Sequence, residues 1–236
     1  MQRHIPLSYY GSMEIKLAVF DCDGTIVDSQ GSIVRSMQAA FRACAMAPPS
    51  PRDIRRVVGL PLVTAAHVLA PDLDQNGAER IAEAYRDAFS GLRRNGMIDD
   101  PLFPGFKATL EALEGAGWLL GIATGKGRRG LDLTLDKHGL NGRFVTLQTA
   151  DSAPGKPDPG MLLNAMADAG ADRVNTVMIG DTTFDVEMSN NAGVLAIGVA
   201  WGYHETDELS AAGARRVIAG FDELVPSLND LMEATR

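Results

Sequence analysis

Ile15-Lys-Leu-Ala-Val-Phe-Asp21-Cys-Asp23-Gly24-Thr25 is the stretch that decides the fold. Residues 15–20 read as a short strand, because a compact apolar run closed by turn-forming residues fits an element covered on both faces. Chemistry-bearing side chains begin where that strand stops. Asp21 and Asp23 stand two residues apart, and Gly24 is free to take a turn that keeps both near one point. By itself the pattern is equally compatible with an ordinary Asp/Gly turn. The longer oxygen-ligand repeat of a calcium-binding EF-hand loop is missing.

C-terminal to this stretch, from Pro104-Gly105 onward, helical and strand-like segments alternate. Strands are expected at residues 118–123, 144–147, 176–179 and 195–199, with an edge strand at 215–218. Leu110 and Leu113, Leu131 and Leu135, and Met161, Leu162, Ala165 and Met166 mark the helices between them. Alternation of this kind is the signature of crossover connections and a parallel sheet. In an open parallel sheet, ligands bind at the carboxyl ends of the strands. Asp21, Thr124 at the end of the second strand and Asp181 after Ile179-Gly180 are therefore expected to converge on one crevice.

Between Asp28 and Met97 the pattern is helical throughout. Ile33, Met37, Ala40, Phe41 and Cys44 recur at helical spacing until Pro48, Pro49 and Pro51 break it. Further helices are marked by Ile54, Val57 and Val58, by Val63, Ala66 and Leu69, and by Ile81, Ala84, Tyr85, Ala88, Phe89 and Leu92. This block reads as a module inserted into an α/β core.

Composition bounds the function. With 22 Lys and Arg against 30 Asp and Glu, the net charge is -8, and basic residues form no long run. Nucleic acid is excluded as a partner class, since affinity for it comes from neutralising many backbone phosphates. No run reaches membrane-spanning length, and residues 1–11 lack the apolar core of a signal peptide. Cys22 and Cys44 are the two cysteines, with no zinc-ligand or disulfide spacing, so a reducing cytoplasm fits. Cys22 is expected to pack inward, since successive side chains point to opposite sides of an extended chain. The four histidines are scattered and form no cluster.

Four segments together resemble the motifs of the haloacid dehalogenase superfamily phosphatases. Asp21-x-Asp23-Gly24-Thr25 is similar to the first motif and Trp118-Leu-Leu-Gly-Ile-Ala-Thr124 to the second. Gly155-Lys156-Pro157-Asp158-Pro159 is similar to the third and Gly180-Asp181-Thr-Thr-Phe-Asp185 to the fourth. Each alone has an ordinary reading, as a turn, a cap or a surface lysine; in order over residues 15–225 they point to one function.

The resemblance implies an α/β, Rossmann-like parallel-sheet core at residues 13–28 and 100–236, with an all-helical cap domain inserted at 29–99. Residues 1–12 are then a loosely held extension, and Met13 is an alternative start to Met1. It further implies that Asp21 is a nucleophile forming an aspartyl-phosphate and that Asp23 is the general acid and then base. Mg²⁺ is the expected cofactor, a hard cation suited to oxygen ligands. Its expected ligands are Asp21, the main-chain carbonyl of Asp23, and Asp181, with Asp185 orienting a water or Lys156 from behind. Asp21, Thr124, Gly125 and Lys156 are the expected phosphate contacts, Thr124 and Gly125 through a hydroxyl and N–H groups at a strand-to-helix turn. Many relatives carry Asn where Gly125 stands. Arg55, Arg56 and Gly59 are the cap residues expected to select substrate, with a solvated helix face as the alternative for the arginines.

Trp201-Gly202-Tyr203 either lines the rim or packs. The stretch Ile197–Gly202 and Ala211-Ala-Gly213 resembles phosphoglycolate phosphatases, so phosphoglycolate leads among small phosphorylated metabolites. A sugar-phosphate mutase, a pyrophosphatase or nucleotidase, and a phosphate-binding regulatory protein are the alternatives. Dehalogenation is disfavoured, because a halide leaving group needs no acid at Asp23. Both a monomer and a homodimer are compatible with the sequence.

Overall fold

Six strands form one parallel sheet: β1 (Lys16–Phe20), β2 (Trp118–Ala123), β3 (Thr146–Gln148), β4 (Thr176–Gly180), β5 (Leu195–Val199) and β6 (Arg216–Ile218). Their order is β3-β2-β1-β4-β5-β6. The structure is a computed structural model and describes residues 14–234; the extension expected at 1–12 and the alternative start at Met13 lie outside them. The chain builds outward from β1 on one side, then returns to add β4, β5 and β6 on the other. The topological switch therefore falls at β1, where ligands of such sheets bind.

β1 is apolar at every position but the first because both faces are covered. Leu17 and Val19 enter one core cluster, with Met161, Leu162 and Met166 of α7 (Gly160–Ala169) and Met188 of α8 (Thr183–Ala192). Ala18 and Phe20 enter the other, beneath α5 (Phe106–Gly115), α6 (Arg128–His138) and α10 (Leu224–Ala234). α9 (Thr206–Ala212) covers the β5–β6 edge through Leu209. Phe20 pairs with both Ile122 and Ile179, so β1, β2 and β4 end level. The main-chain N–H of Asp21 donates to the Ile179 carbonyl at 2.9 Å and that of Thr124 to Gln148 at 3.0 Å.

The third strand differs from expectation. It is Thr146–Gln148, paired with Gly121–Ala123, while Phe144 packs into the core from the preceding loop. The apolar run there reflects burial of a loop side chain more than strand pairing.

Between β1 and α5 lie α1 (Gln30–Ala43), α2 (Pro51–Arg56), α3 (Leu62–Leu69) and α4 (Gln75–Arg94). Ser50 caps α2 by accepting from the Asp53 N–H, and Asp74 caps α4 by accepting from the Gly77 N–H. These helices bury Ile33, Met37, Phe41, Ile54 and Ile81 in a cluster of their own, each worth about 1.5–3 kcal/mol of transfer free energy. The two chain crossings into this helical segment run side by side, bridged at Val27 and Leu102 and by the Asp28 N–H to the Pro101 carbonyl at 2.8 Å. Among the described residues no helix is long and apolar enough to cross a membrane.

Candidate active site

Asp21, one residue past β1, meets Lys156 from the loop before α7 and Asp185 from the first turn of α8. Lys156 Nζ lies 2.9 Å from Asp21 Oδ2 and 2.6 Å from Asp185 Oδ1, with all three side chains almost fully buried. These are ion-pair contacts, off the axes of well-aligned hydrogen bonds. Asp21 Oδ1 accepts from the Cys22 N–H at 2.6 Å, and the Cys22 side chain is buried in the core. Asp185 is held by a capping box: Oδ2 accepts from Thr182 N at 3.0 Å and from Thr182 Oγ1 at 2.7 Å.

Asp181, directly after β4, is gripped from two sides. Its Oδ1 accepts from Thr25 Oγ1 at 2.8 Å and its Oδ2 from the Tyr203 N–H at 2.9 Å. Gly202 makes this possible, since a Cβ there would lie 2.1 Å from Asp181 Cβ. Trp201 packs on Phe221 and Phe103, donates to the Thr25 carbonyl at 3.1 Å, and does not line the cavity described below. Of the two options for this segment, packing against the site's supports is the one observed.

Carboxylate oxygens of Asp21, Asp181 and Asp185 lie within 4.8 Å of one another. Burial pushes the Asp21 carboxyl up to about 6, against the pull of Lys156 and with the repulsion of Asp185 behind it. Asp181 is driven well above the usual carboxylate range by burial, then by Asp185 and Asp21. Burial alone would discharge Lys156, but Asp185 and Asp21 overcome it and hold the ammonium charged. Three buried carboxyls against one ammonium make an all-oxygen donor set whose full ionisation calls for a further cation. That donor set fits a hard divalent cation such as Mg²⁺.

Asp23 has other partners. Its Oδ1 accepts from Ser29 Oγ at 2.6 Å and pairs with Lys126 Nζ at 2.9 Å; the Tyr203 hydroxyl lies 3.2 Å from the same Ser29 Oγ. Thr124, buried at the end of β2, accepts from the Lys126 N–H at 3.3 Å. The sequence reading did not single out Lys126 or Ser29, and it named Gly202 only within the Trp201–Tyr203 segment. For Lys126 the available signal was its place two residues past a strand-end threonine, at the edge of the sheet where ligands bind.

Asp21, Asp23, Thr124, Gly125 and Lys126 form the floor of a cavity of about 650 Å³, roofed by the helical segment. Gly59 lines it, and Arg55 and Arg56 are not among its lining residues. Arg56 instead makes a two-pronged ion pair with Glu208 at 2.5 and 2.9 Å. His204 accepts from the Thr183 N–H at Nδ1 (3.1 Å), leaving Nε2–H to donate to the Arg56 carbonyl at 3.4 Å. The cavity's arginines are Arg86, Arg93 and Arg94 of α4 and Arg129 of α6. A Cβ on Gly125 would sit 3.0 Å from the Gly59 carbonyl. Glycine at 125 thus lets the roof loop pass close over the turn after β2.

Residues 18–199 match the family model of haloacid dehalogenase-like hydrolases. The chain is 38% identical over 221 residues to the "Probable phosphatase IndB" of Dickeya dadantii, covering 92% of this chain and 95% of that one. It is 32% identical over 221 residues to a phosphoglycolate phosphatase of Agrobacterium fabrum, covering 90% and 91%. A hydrolase from Pseudomonas syringae superposes with a TM-score of 0.81 at 27% identity, covering 91% of this chain and 98% of that one.

Proposed function

The chain belongs to the haloacid dehalogenase-like hydrolases, and from that premise we propose that it is a Mg²⁺-dependent phosphomonoester hydrolase working through an aspartyl-phosphate on Asp21. The observation that carries this is the buried Lys156 ammonium shared between Asp21 and Asp185. A carboxylate attacks a phosphate dianion only where the charge of both is offset.

Asp21 forms an O–P bond in line with the departing alcohol while the P–O bond to that alcohol breaks. Asp23, at the floor of the same cavity, gives a proton to the leaving oxygen. It then takes one from the water that attacks phosphorus, releasing inorganic phosphate and restoring Asp21. Lys156 neutralises the phosphoryl oxygens, which the Thr124 hydroxyl and the Gly125 N–H orient. Asp185 holds Lys156 in place. Asp21, Asp181 and the Asp23 carbonyl are the residues that would hold Mg²⁺, which supplies two further positive charges when bound.

On this proposal residues 29–99 are a cap over a catalytic core of 13–28 and 100–236, and cap closure keeps bulk water from the phosphoryl group. The separate hydrophobic cluster of the helices and the paired crossings at Val27 and Leu102 support it. The substrate is a small phosphorylated metabolite, and phosphoglycolate leads on the strength of the relative from Agrobacterium fabrum. The test is phosphate release from p-nitrophenyl phosphate and phosphoglycolate with Mg²⁺. Chelation should abolish it, and Asp21→Asn should lower kcat at least about a thousandfold. An Asp21→Asn protein with undiminished turnover would sink the nucleophile assignment.

A further inference from the structure

Lys126 is the buried cation that the hydrolysis itself leaves without a task. Its side chain is 9% exposed, and an ammonium taken out of water costs several kcal/mol unless its donors are used. It has three N–H donors. Among the described residues its partners are Asp23 Oδ1 at 2.9 Å and the face of Phe89 at 5.4 Å. Asp23 Oδ1 is already shared with Ser29. The stem is accommodated by Gly130, where a Cβ would meet Lys126 Cγ at 3.1 Å. Lys126 lines the cavity, so donor capacity remains on the side where a substrate would lie.

Tyr85, from α4 of the helical segment, also lines the cavity. It stands one helical turn before Phe89 on α4, with ring centroids 5.9 Å apart, and no protein hydrogen bond to its hydroxyl is found among the described residues. A phenol and an ammonium, one from the roof and one from the floor, thus border the same space. An anionic oxygen group would satisfy both.

Resting on the phosphatase reading above, we propose that Lys126, assisted by the Tyr85 hydroxyl, recognises a carboxylate on the leaving group, one carbon from the ester oxygen. The phosphoryl group has Lys156, Thr124 and Gly125 and does not need Lys126. Asp23, which protonates the ester oxygen, is in direct contact with Lys126, so the ammonium lies beside the first atoms of the leaving group. The cavity's nearby walls include Met37, Val58 and Leu62, which accept an alkyl group but give a carboxylate nothing. Charge at Lys126 is then the discriminating contact, and Arg86, Arg93, Arg94 and Arg129 around the cavity add a field that draws anions in.

The experiment compares kcat/KM for phosphoglycolate and for ethyl phosphate, which has the same carbon chain without the carboxylate. Wild type, K126M, K126R and Y85F are each measured with Mg²⁺. Wild type is expected to prefer phosphoglycolate by at least about a hundredfold, and K126M to bring the preference to within about threefold. K126R should keep most of it, and Y85F should lower it severalfold, mainly through KM. Equal losses on both esters in K126M would overturn the proposal, because they would mean that Lys126 only positions Asp23. A wild-type enzyme that hydrolyses p-nitrophenyl phosphate but shows no preference for the carboxylate would overturn it as well, leaving the reaction class intact. Absence of any Mg²⁺-dependent hydrolysis in the wild type would instead sink the phosphatase reading.

Discussion

Asp21, Asp181 and Asp185 are costly neighbours. Burial raises the first two carboxyls, so between the ordinary Asp value and about 6 the folded chain keeps protons that the unfolded chain releases. Stability without a cation therefore falls as pH rises through that window, because the folded state binds more protons than the unfolded one. A dication that binds the ionised carboxylates reverses the penalty. Saturating Mg²⁺, at about a hundred times its Kd, should add about 2.7 kcal/mol near pH 7.5. That corresponds to a Tm rise of roughly 5–10 °C, with a much smaller rise near pH 5. Calorimetry at the two pH values checks this, and equal shifts at both would contradict it. Asp181 depends on a further residue that does not line the cavity: Gly202, whose missing Cβ lets the Tyr203 N–H reach the carboxylate.

At the level of elements, α8 shows how local sequence signals fix a site. Thr182 and Asp185 form its capping box, which satisfies main-chain donors and aims the other Asp185 oxygen at Lys156. Thr182→Ala should cost about 0.5–2 kcal/mol of stability and, by freeing Asp185, lower kcat about tenfold or more. Thermal unfolding and steady-state kinetics on the same variant test both; a lowered Tm with unchanged kcat would show that Asp185 is placed independently of its cap. The strands β1, β2, β4 and β5 were legible as apolar runs because both faces of a parallel sheet are buried. Strand-end Asp21, Thr124 and Asp181 follow from the same topology, so their convergence was readable before any coordinate. The start of β3 was placed two residues early, at 144, because Phe144 is buried from a loop, and burial alone does not distinguish loop from strand. Lys126 was not legible as a buried group, since its burial depends on α4 bringing Phe89 over it and on Gly130 making room. The pairing of Arg56 was not legible for the converse reason: its partner Glu208 lies 152 residues away, and no periodicity reports such a pairing.

In the whole molecule, a parallel sheet whose order of strand addition turns at β1 supplies the floor of the cavity, and a helical segment supplies the roof. Two adjacent crossings and a few polar ties join them. The Arg56–Glu208 pair is exposed and contributes little to holding them together. Buried bonds from Ser29 to Asp23 and from Ser32 to Asp100 tie the two parts together, while the floor is held by the buried ion pairs of Lys156. Everything in this division of labour depends on Asp21 being the atom donor that receives the phosphoryl group. The most direct measurement is to quench the enzyme during turnover with Mg²⁺ and phosphate ester, reduce with borohydride, and map the modified residue by peptide mass spectrometry. An acyl phosphate is reduced to the alcohol, so homoserine should appear at position 21 alone and be absent from the Asp21→Asn protein. Turnover without homoserine at 21, or reduction at Asp23, Asp181 or Asp185 instead, would contradict phosphoryl transfer to Asp21.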